Sequence, residues 1–219
     1  QGSISSQVRA NASAGFSIIT GTGNGSFGHG LGVAPAMYII KSRSSGGTGW
    51  WVNHKGLANQ SDQYLGLHST SAVQTTSWGG SPTSTIAYVS NSFVGSDNWV
   101  CYAFAPVSGY SSALSWTGNG SADGPMLWCG FQPRFFIAKR TDSANDWWMW
   151  DTARSNTGNP VDEWLSPNRS DAEYGNDADF DFLSNGIKIR TTSTTVNASG
   201  GSYIGFAWAS NPFSVARAQ

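Results

Sequence analysis

Similar sequence motifs occur twice along the chain, in the same order. Residues 15–26 read GFSIITGTGNGS, and residues 109–125 read GYSSALSWTGNGSADGP. Three further features recur in the same order: a proline before a hydrophobic run that ends in lysine (residues 35–41 and 133–139), a tryptophan doublet (50–51 and 147–148) and a closing alternating segment (99–105 and 203–209). The pattern predicts an internal duplication.

The size of the repeat sets the domain organisation. Its period exceeds the ~20–50 residues of solenoid and propeller repeats, so each copy is expected to be a small module of its own. The spacing between matched residues grows along the chain, as expected when elements are kept and loops lengthen. We predict an entering strand or neck over residues 1–14, one module over 15–107 and a second over 108–219.

Strand signals dominate both copies. Short β-branched and aromatic runs are separated by glycine and serine turns, and no segment of 11 residues keeps a helical period. The fold class expected is all-β, built as two tandem, antiparallel β-sandwich modules. The glycine-rich residues 21–32 follow a strand, but no helix follows them, so they predict turns and not a phosphate-binding loop.

Composition restricts the partners. Charged residues make up 11% of the chain, against ~25% in typical domains, and the net charge is −1, so neither nucleic acid nor membrane insertion is expected. Two cysteines at unmatched positions of the copies predict buried thiols without a disulfide framework. The three histidines lie in loops or strands of the first copy and predict no metal or catalytic triad. Because residue 1 is Gln and not Met, the chain is expected to be a piece of a longer protein.

Acidic residues cluster in the second copy. Asp177, Asp179 and Asp181 are two residues apart, which on a strand would place three carboxylates on one side, where a structural Ca²⁺ would relieve their repulsion. Arg169, Lys188 or Arg190 would neutralise them equally well. A glycosidase pair among these acids is a weaker alternative, and no other cofactor is expected.

Tryptophan is the remaining signal. Most of the 11 Trp are needed for cores, but indole faces also stack on sugar rings. Strand alternation makes Trp51, Trp148 and Trp150 candidates for exposure, and loop placement adds Trp78. The candidate ligand contacts, which combine rings with polar groups near the two hairpins, are Trp51, Trp148, Trp150, Arg140, Asp142 and Asp151.

The repeated motifs also carry a resemblance. The Thr-Gly-Asn-Gly-Ser openings, residues 140–143 before the second doublet, and the tail through residues 182–189, 196–204 and 211–213 resemble bacteriophage tail-fibre or appendage proteins with tandem repeats. The resemblance implies concanavalin-like, jelly-roll modules, a virion location, other virion proteins as partners and a homo-oligomer, with a trimer favoured. No binding residues come with it.

These observations favour a non-enzymatic module that recognises a host-surface glycan or protein. One alternative is a structural head or tail decoration protein that acts through protein–protein contacts. A second is a polysaccharide depolymerase, which the lack of a carboxylate pair shared between the copies disfavours.

Overall fold

The computed structural model describes residues 2–155, 158–175 and 179–211. Within these residues every strand pairing is antiparallel and the helices are three single turns, so the all-β prediction is confirmed. Packing divides the chain into two compact units: residues 2–68 with 73–107, and residues 69–72 with the described part of 108–219.

The first unit contains nine strands. They are β1 (Ser6–Asn11), β2 (Phe16–Thr22), β3 (Gly25–Gly28), β4 (Met37–Ser42), β5 (Trp50–His54), β6 (Gln63–Gly66), β7 (Gln74–Thr75), β8 (Ile86–Val89) and β9 (Asn98–Phe104). One sheet has the order β1-β2-β9-β4-β5-β6-β7, and β3 pairs with β8 in the other. The expected neck contains β1, which pairs along its whole length with β2.

The two sheets of the first unit enclose one core. It takes Ile19 and Trp99 from the large sheet and Phe27 and Val89 from the small one. Strand β9 shows how alternation builds this core. Trp99, Cys101 and Ala103 are buried while the residues between them are not, as expected of a strand with one face on a core. A 3-10 turn, Ala12–Ala14, and a helical turn, α1 (Asn91–Val94), connect strands.

The described residues of the second unit form eight strands. They are β10 (Ser111–Thr117), β11 (Met126–Trp128), β12 (Pro133–Arg140), β13 (Trp147–Asp151), β14 (Trp164–Leu165), β15 (Phe180–Leu183), β16 (Gly186–Ile189) and β17 (Ser202–Ala209), with the helical turn α2 (Thr194–Asn197) before the last. One sheet has the order β10-β17-β12-β13-β14 and the other β11-β16-β15. Both contribute to one core that includes Phe136, Trp150, Phe182 and Ile187.

Each unit is therefore an antiparallel β-sandwich. The order β10-β17-β12-β13-β14 matches β2-β9-β4-β5-β6 of the first unit, strand for strand in chain order. Such a match is expected of duplicated modules, although the duplication itself and the jelly-roll topology stay predictions. Among the described helices, none has the length and apolar character needed to cross a bilayer.

Candidate functional site

The hairpin of β12 and β13 buries the tryptophans predicted to meet a ligand. Trp148 and Trp150 do share a face of β13, but that face packs on the core of the second unit. Trp150 is fully buried, with its ring centroid 5.8 Å from that of Phe136 and 4.7 Å from that of Phe180. The expectation that these two rings are exposed is wrong, because the alternation defines a common face without saying which side the second sheet covers.

The indole nitrogens of this pair are also satisfied inside the unit. Nε1 of Trp150 donates to Asp179 Oδ2 at 3.3 Å, and Nε1 of Trp148 donates to Asn145 Oδ1 at 2.9 Å. A cavity of about 30 Å³ lies beside them, lined by Trp148, Trp150, Trp164, Asp179, Ser193 and Thr195. It has room for a water molecule and not for a sugar ring.

Arg140 and Asp142 are engaged with each other. The guanidinium donates from Nε and Nη2 to the two carboxylate oxygens at 2.9 and 3.1 Å, and this hydrogen bonding lowers the pKa of Asp142. Asp142 also accepts from the backbone N–H of Ser202 at 3.1 Å, while Arg140 lies over the ring of Tyr203 at 5.9 Å. The pair ties the end of β12 to the start of β17, which is a structural role.

Asp151 stabilises a turn. Its Oδ1 accepts from the backbone N–H groups of Ala153 and Arg154 at 2.8 and 3.0 Å, and its Oδ2 lies 2.7 Å from Nη2 of Arg154. The carboxylate is therefore used within the loop that follows β13.

In the first unit the exposed tryptophan of the doublet is Trp50 and not Trp51. Trp51 is half-buried and stacks on Phe93 with ring centroids 4.8 Å apart, whereas Trp50 is 37% exposed. Trp78, the loop candidate, is buried, and its Nε1 donates to Gln63 O at 2.8 Å. Both rings belong to the core of this unit, so the exposure predicted for Trp51 and Trp78 is corrected.

The acidic cluster does not form the expected row. Asp177 lies outside the described residues, Asp179 is buried against Trp150, and Asp181 points from the opposite side of β15 and pairs with Arg190 Nε at 2.5 Å. Within the described part of the chain, no three His, Cys, Asp or Glu side chains come together as metal ligands. Asp179 and Asp181 thus have separate partners. Asp179 lies before the first residue of β15, so the alternation of that strand does not place it on the same face as Asp181.

Among the residues that the structure describes, Trp128 is the most exposed large aromatic side chain, at 67%, and it was not among the candidates predicted from the sequence. It lies on the side of the β11-β16-β15 sheet that faces away from the core, next to Met126, which is 40% exposed. We call this side the outer face; its residues are Met126, Trp128, Asp181, Leu183, Gly186 and Lys188. Strand register places Trp128 opposite Gly186, and Met126 Cε lies 3.0 Å from where a Cβ on Gly186 would stand.

Ion-paired side chains share the outer face with the indole. Lys188 lies opposite Met126 on one side and Asp181 on the other, and its Nζ is 2.6 Å from Asp123 Oδ1. The hydrogen bond from Lys188 lowers the pKa of Asp123. Asp181 pairs with Arg190, so two ion pairs share the outer face with Trp128.

A signal for the outer face exists in the sequence. Leu127, Phe180, Phe182, Ile187 and Ile189 alternate with polar or exposed residues, so their neighbours must point away from the core. Trp128 is one of those neighbours. The three-residue length of β11 makes the alternation too short to identify without the pairing to β16.

Comparison with known proteins supplies a family and no activity. No curated protein and no solved structure matches the chain. One family model covers residues 1–212, nearly the whole chain. The protein therefore belongs to the family described as "Domain of unknown function (DUF7483)".

Proposed function

We propose that the protein is a non-catalytic recognition module that binds a glycan through the outer face of its second unit. The observation that carries the proposal is the exposure of Trp128 beside an ion-paired, polar surface. A single exposed apolar residue is ordinary on a protein surface. Here Trp128 and Met126 are both exposed on the same face of β11, which offers a ligand a contiguous apolar contact.

The chemistry of the outer face suits a sugar. The apolar face of a pyranose ring packs on an indole, while its hydroxyl groups need donors and acceptors at the ring edge. Trp128 supplies the flat apolar surface. Asp123 and Asp181 are ion-paired with Lys188 and Arg190, but a carboxylate has about four acceptor positions, so both can also accept from sugar hydroxyls. Gly186 adds no side chain of its own across from the indole, and Met126 Cε lies 3.0 Å from where a Cβ on Gly186 would stand, so Met126 extends the apolar contact surface.

The state of the carboxylates favours binding over hydrolysis. A glycosidase needs one carboxyl group that stays protonated, with a raised pKa, across from a second carboxylate. Asp123 instead has a lowered pKa, because Lys188 pairs with it, and Asp181 is paired with Arg190. This supports recognition without cleavage and disfavours the depolymerase alternative.

The setting we propose is a virion fibre or surface appendage. Its support is the resemblance of the repeated motifs to bacteriophage appendage proteins, which are expected to act as homo-oligomers, trimers most often, bound to other virion proteins. In that setting the outer face would meet a glycan of the host surface.

The test is binding of the whole chain to an array of neutral and charged glycans, followed by titration of the glycans retained. We expect Trp128→Ala to weaken binding at least tenfold, because burying a large apolar side chain contributes about 1.5–3 kcal/mol. Trp50→Ala removes a different exposed indole from the other unit and serves as the matched control. Its affinity should equal that of the unchanged chain.

Two results would overturn the proposal. If no glycan binds and Trp128→Ala instead dissolves an oligomer seen by light scattering, the outer face is an assembly contact and the decoration alternative holds. If the chain releases reducing ends from a polysaccharide, the module is an enzyme.

A further inference from the structure

A second surface, in the first unit, has the character of a ligand site. An open groove of about 560 Å³ is lined by Ile4, Ser5, Ser6, Gln7, Thr20, Gly21, Thr22, Arg43 and Asn98. Its volume falls within the range of about 300–1,000 Å³ that small-molecule sites occupy. All but two of these residues carry hydroxyl, amide or guanidinium groups, so the groove is polar where most ligand pockets are apolar.

Strand order explains how these residues meet. Ser6 pairs with Gly21, Gly21 with Trp99, and Ser42 with Trp99, so β1, β2, β9 and β4 bring the same end of the sheet together. The groove lies across this end. Gly21 is required there, because a Cβ on it would approach the buried ring of Trp99 to 2.5 Å.

Most of the polar side chains of the groove are unused. The side chains of Ser5, Ser6, Gln7, Thr20 and Arg43 make no hydrogen bond or ion pair with any residue that the structure describes. Surface side chains are normally free to bond to water, but here several free groups converge on one concave surface. The convergence distinguishes a site from ordinary solvated surface.

Arg43 and Asn98 are held in place without their donors being consumed. The backbone N–H of Arg43 donates to Asn98 O at 2.7 Å. This bond fixes the position of the Arg43 backbone, from which the side chain extends. Asn98 Oδ1 accepts from Thr22 Oγ1 at 2.6 Å, so the orientation of this amide is set and the two Nδ2 hydrogens remain available. The groove therefore presents a fork of guanidinium donors next to an oriented amide donor.

Among the described residues that line the groove, Arg43 is the one that carries a charge. Asp97, the residue before Asn98 in the chain, accepts a hydrogen bond from Ser42 Oγ at 2.6 Å, and bonds from Ser42 and Ser45 lower its pKa. In the part of the chain that the structure describes, Asp97 forms no ion pair with Arg43. A guanidinium without a carboxylate partner is suited to bind one from a ligand in a bidentate pair.

We propose that this groove binds a carboxylate-bearing sugar, with Arg43 on the carboxylate and the surrounding hydroxyl and amide groups on the sugar hydroxyls. The inference rests on the proposed function in that the protein recognises glycans, and it adds the chemical class, an acidic oligosaccharide. It assigns that class to a site in the first unit, separate from the outer face of the second.

The test is titration calorimetry of the whole chain with two tetrasaccharides of equal length, one of galacturonic acid and one of galactose. The acidic tetrasaccharide should bind at least tenfold more tightly than the neutral one. Arg43→Gln should remove that preference, because a hydrogen-bonded charge pair is lost, and Arg43→Lys should restore it only in part, since an ammonium lacks the planar fork.

Arg9→Gln is the matched control. Arg9 lies on β1 in the same unit and is exposed, and among the described residues its guanidinium bonds only to the backbone oxygen of Val8. Its loss therefore removes the same charge from a residue outside the groove lining. If Arg9→Gln lowers the affinity as much as Arg43→Gln does, the attraction is a general effect of charge and the site assignment fails. Equal affinities for the two tetrasaccharides would also overturn it.

Trp128→Ala separates this inference from the proposed function. Binding of the acidic tetrasaccharide at the groove should be unchanged in that variant, while glycans held on the outer face are lost. If Trp128-dependent binding is found and no Arg43-dependent binding, the groove proposal fails and the proposed function stands. If neither variant changes any binding, both fail.

Discussion

At the scale of single residues, Lys139 is the most unusual side chain in the protein. It is fully buried in the second unit, where its Nζ donates to the backbone oxygens of Arg140 at 2.7 Å and Thr70 at 3.3 Å. Burial lowers the pKa of this ammonium to about 8, and the charge of Asp146 opposes that shift only in part. The lysine therefore links residues 69–72 to β12 at an electrostatic cost.

The lowered pKa predicts that stability rises with pH. Between about pH 8 and the pKa of an unfolded lysine, the unfolded chain holds a proton that the folded chain has lost, so deprotonation favours the folded state. Over that window the free energy of unfolding should gain up to about 3 kcal/mol from this group. Below pH 8 the contribution is constant.

Urea unfolding between pH 7 and 9.5 measures this effect. Lys139→Met removes the titrating group while keeping a long side chain, so the rise attributable to Lys139 should disappear in the variant. Lys55→Met, an exposed lysine in the first unit, should leave the rise intact. A rise of equal size in the Lys139 variant would show that the lysine is protonated throughout this range.

At the scale of elements, strand β17 decides how the large sheet of the second unit closes. It pairs with β10 on one side and β12 on the other, and Gly205 lies near its middle. A Cβ at this position would approach Phe136 Cε2 to 2.7 Å and Ile137 O to 2.8 Å. Glycine is needed because the core ring and the neighbouring strand already occupy the space.

Gly205→Ala should therefore destabilise the protein, although alanine usually favours regular structure over glycine. We expect a loss of about 1–3 kcal/mol in the free energy of unfolding, the usual result of overpacking a core. Chemical denaturation measures it. Gly46→Ala, in a loop where an added Cβ meets nothing within 4 Å, should change stability little. A neutral Gly205→Ala would mean that β12 and β17 can separate without cost.

The sequence predicts the strands better than it predicts the contacts of their side chains. The runs that became β4, β5, β9, β12, β13 and β17 are visible as β-branched and aromatic segments between glycine-rich turns. The candidate site was not predictable in the same way. Arg140, Asp142 and Asp151 looked free in sequence, but each found a partner within a few residues or across a strand, because polar groups near a hairpin are drawn into turns and ion pairs.

At the scale of the whole molecule, each unit closes its large sheet with its last strand. Strand β9 pairs with β2 and β4, and β17 pairs with β10 and β12, so each central position is filled by residues far along the chain. Such long-range pairing is slow to form and leaves no complete sheet until the final strand is present.

A chain that ends at residue 201 should therefore not fold its second unit. Without β17, strands β10 and β12 lose their shared partner and the core loses Tyr203 and Ala207. Near-UV circular dichroism should show the loss of ordered tryptophan signal, and hydrogen exchange should show an unprotected second unit. A chain that ends at Asn211 keeps every described strand and serves as the control. Protection of β12 in the shorter chain would contradict the prediction.

The sequence by itself determined that this protein is built from strands, where its turns lie and which residues share a face, because those follow from local alternation and glycine placement. Only the tertiary structure decided which face is covered. Trp148 and Trp150 alternate as Trp128 and Met126 do, yet the first pair is core and the second is surface. The physical reason is that burial depends on where the second sheet packs, and that is set by pairings between residues distant in the chain.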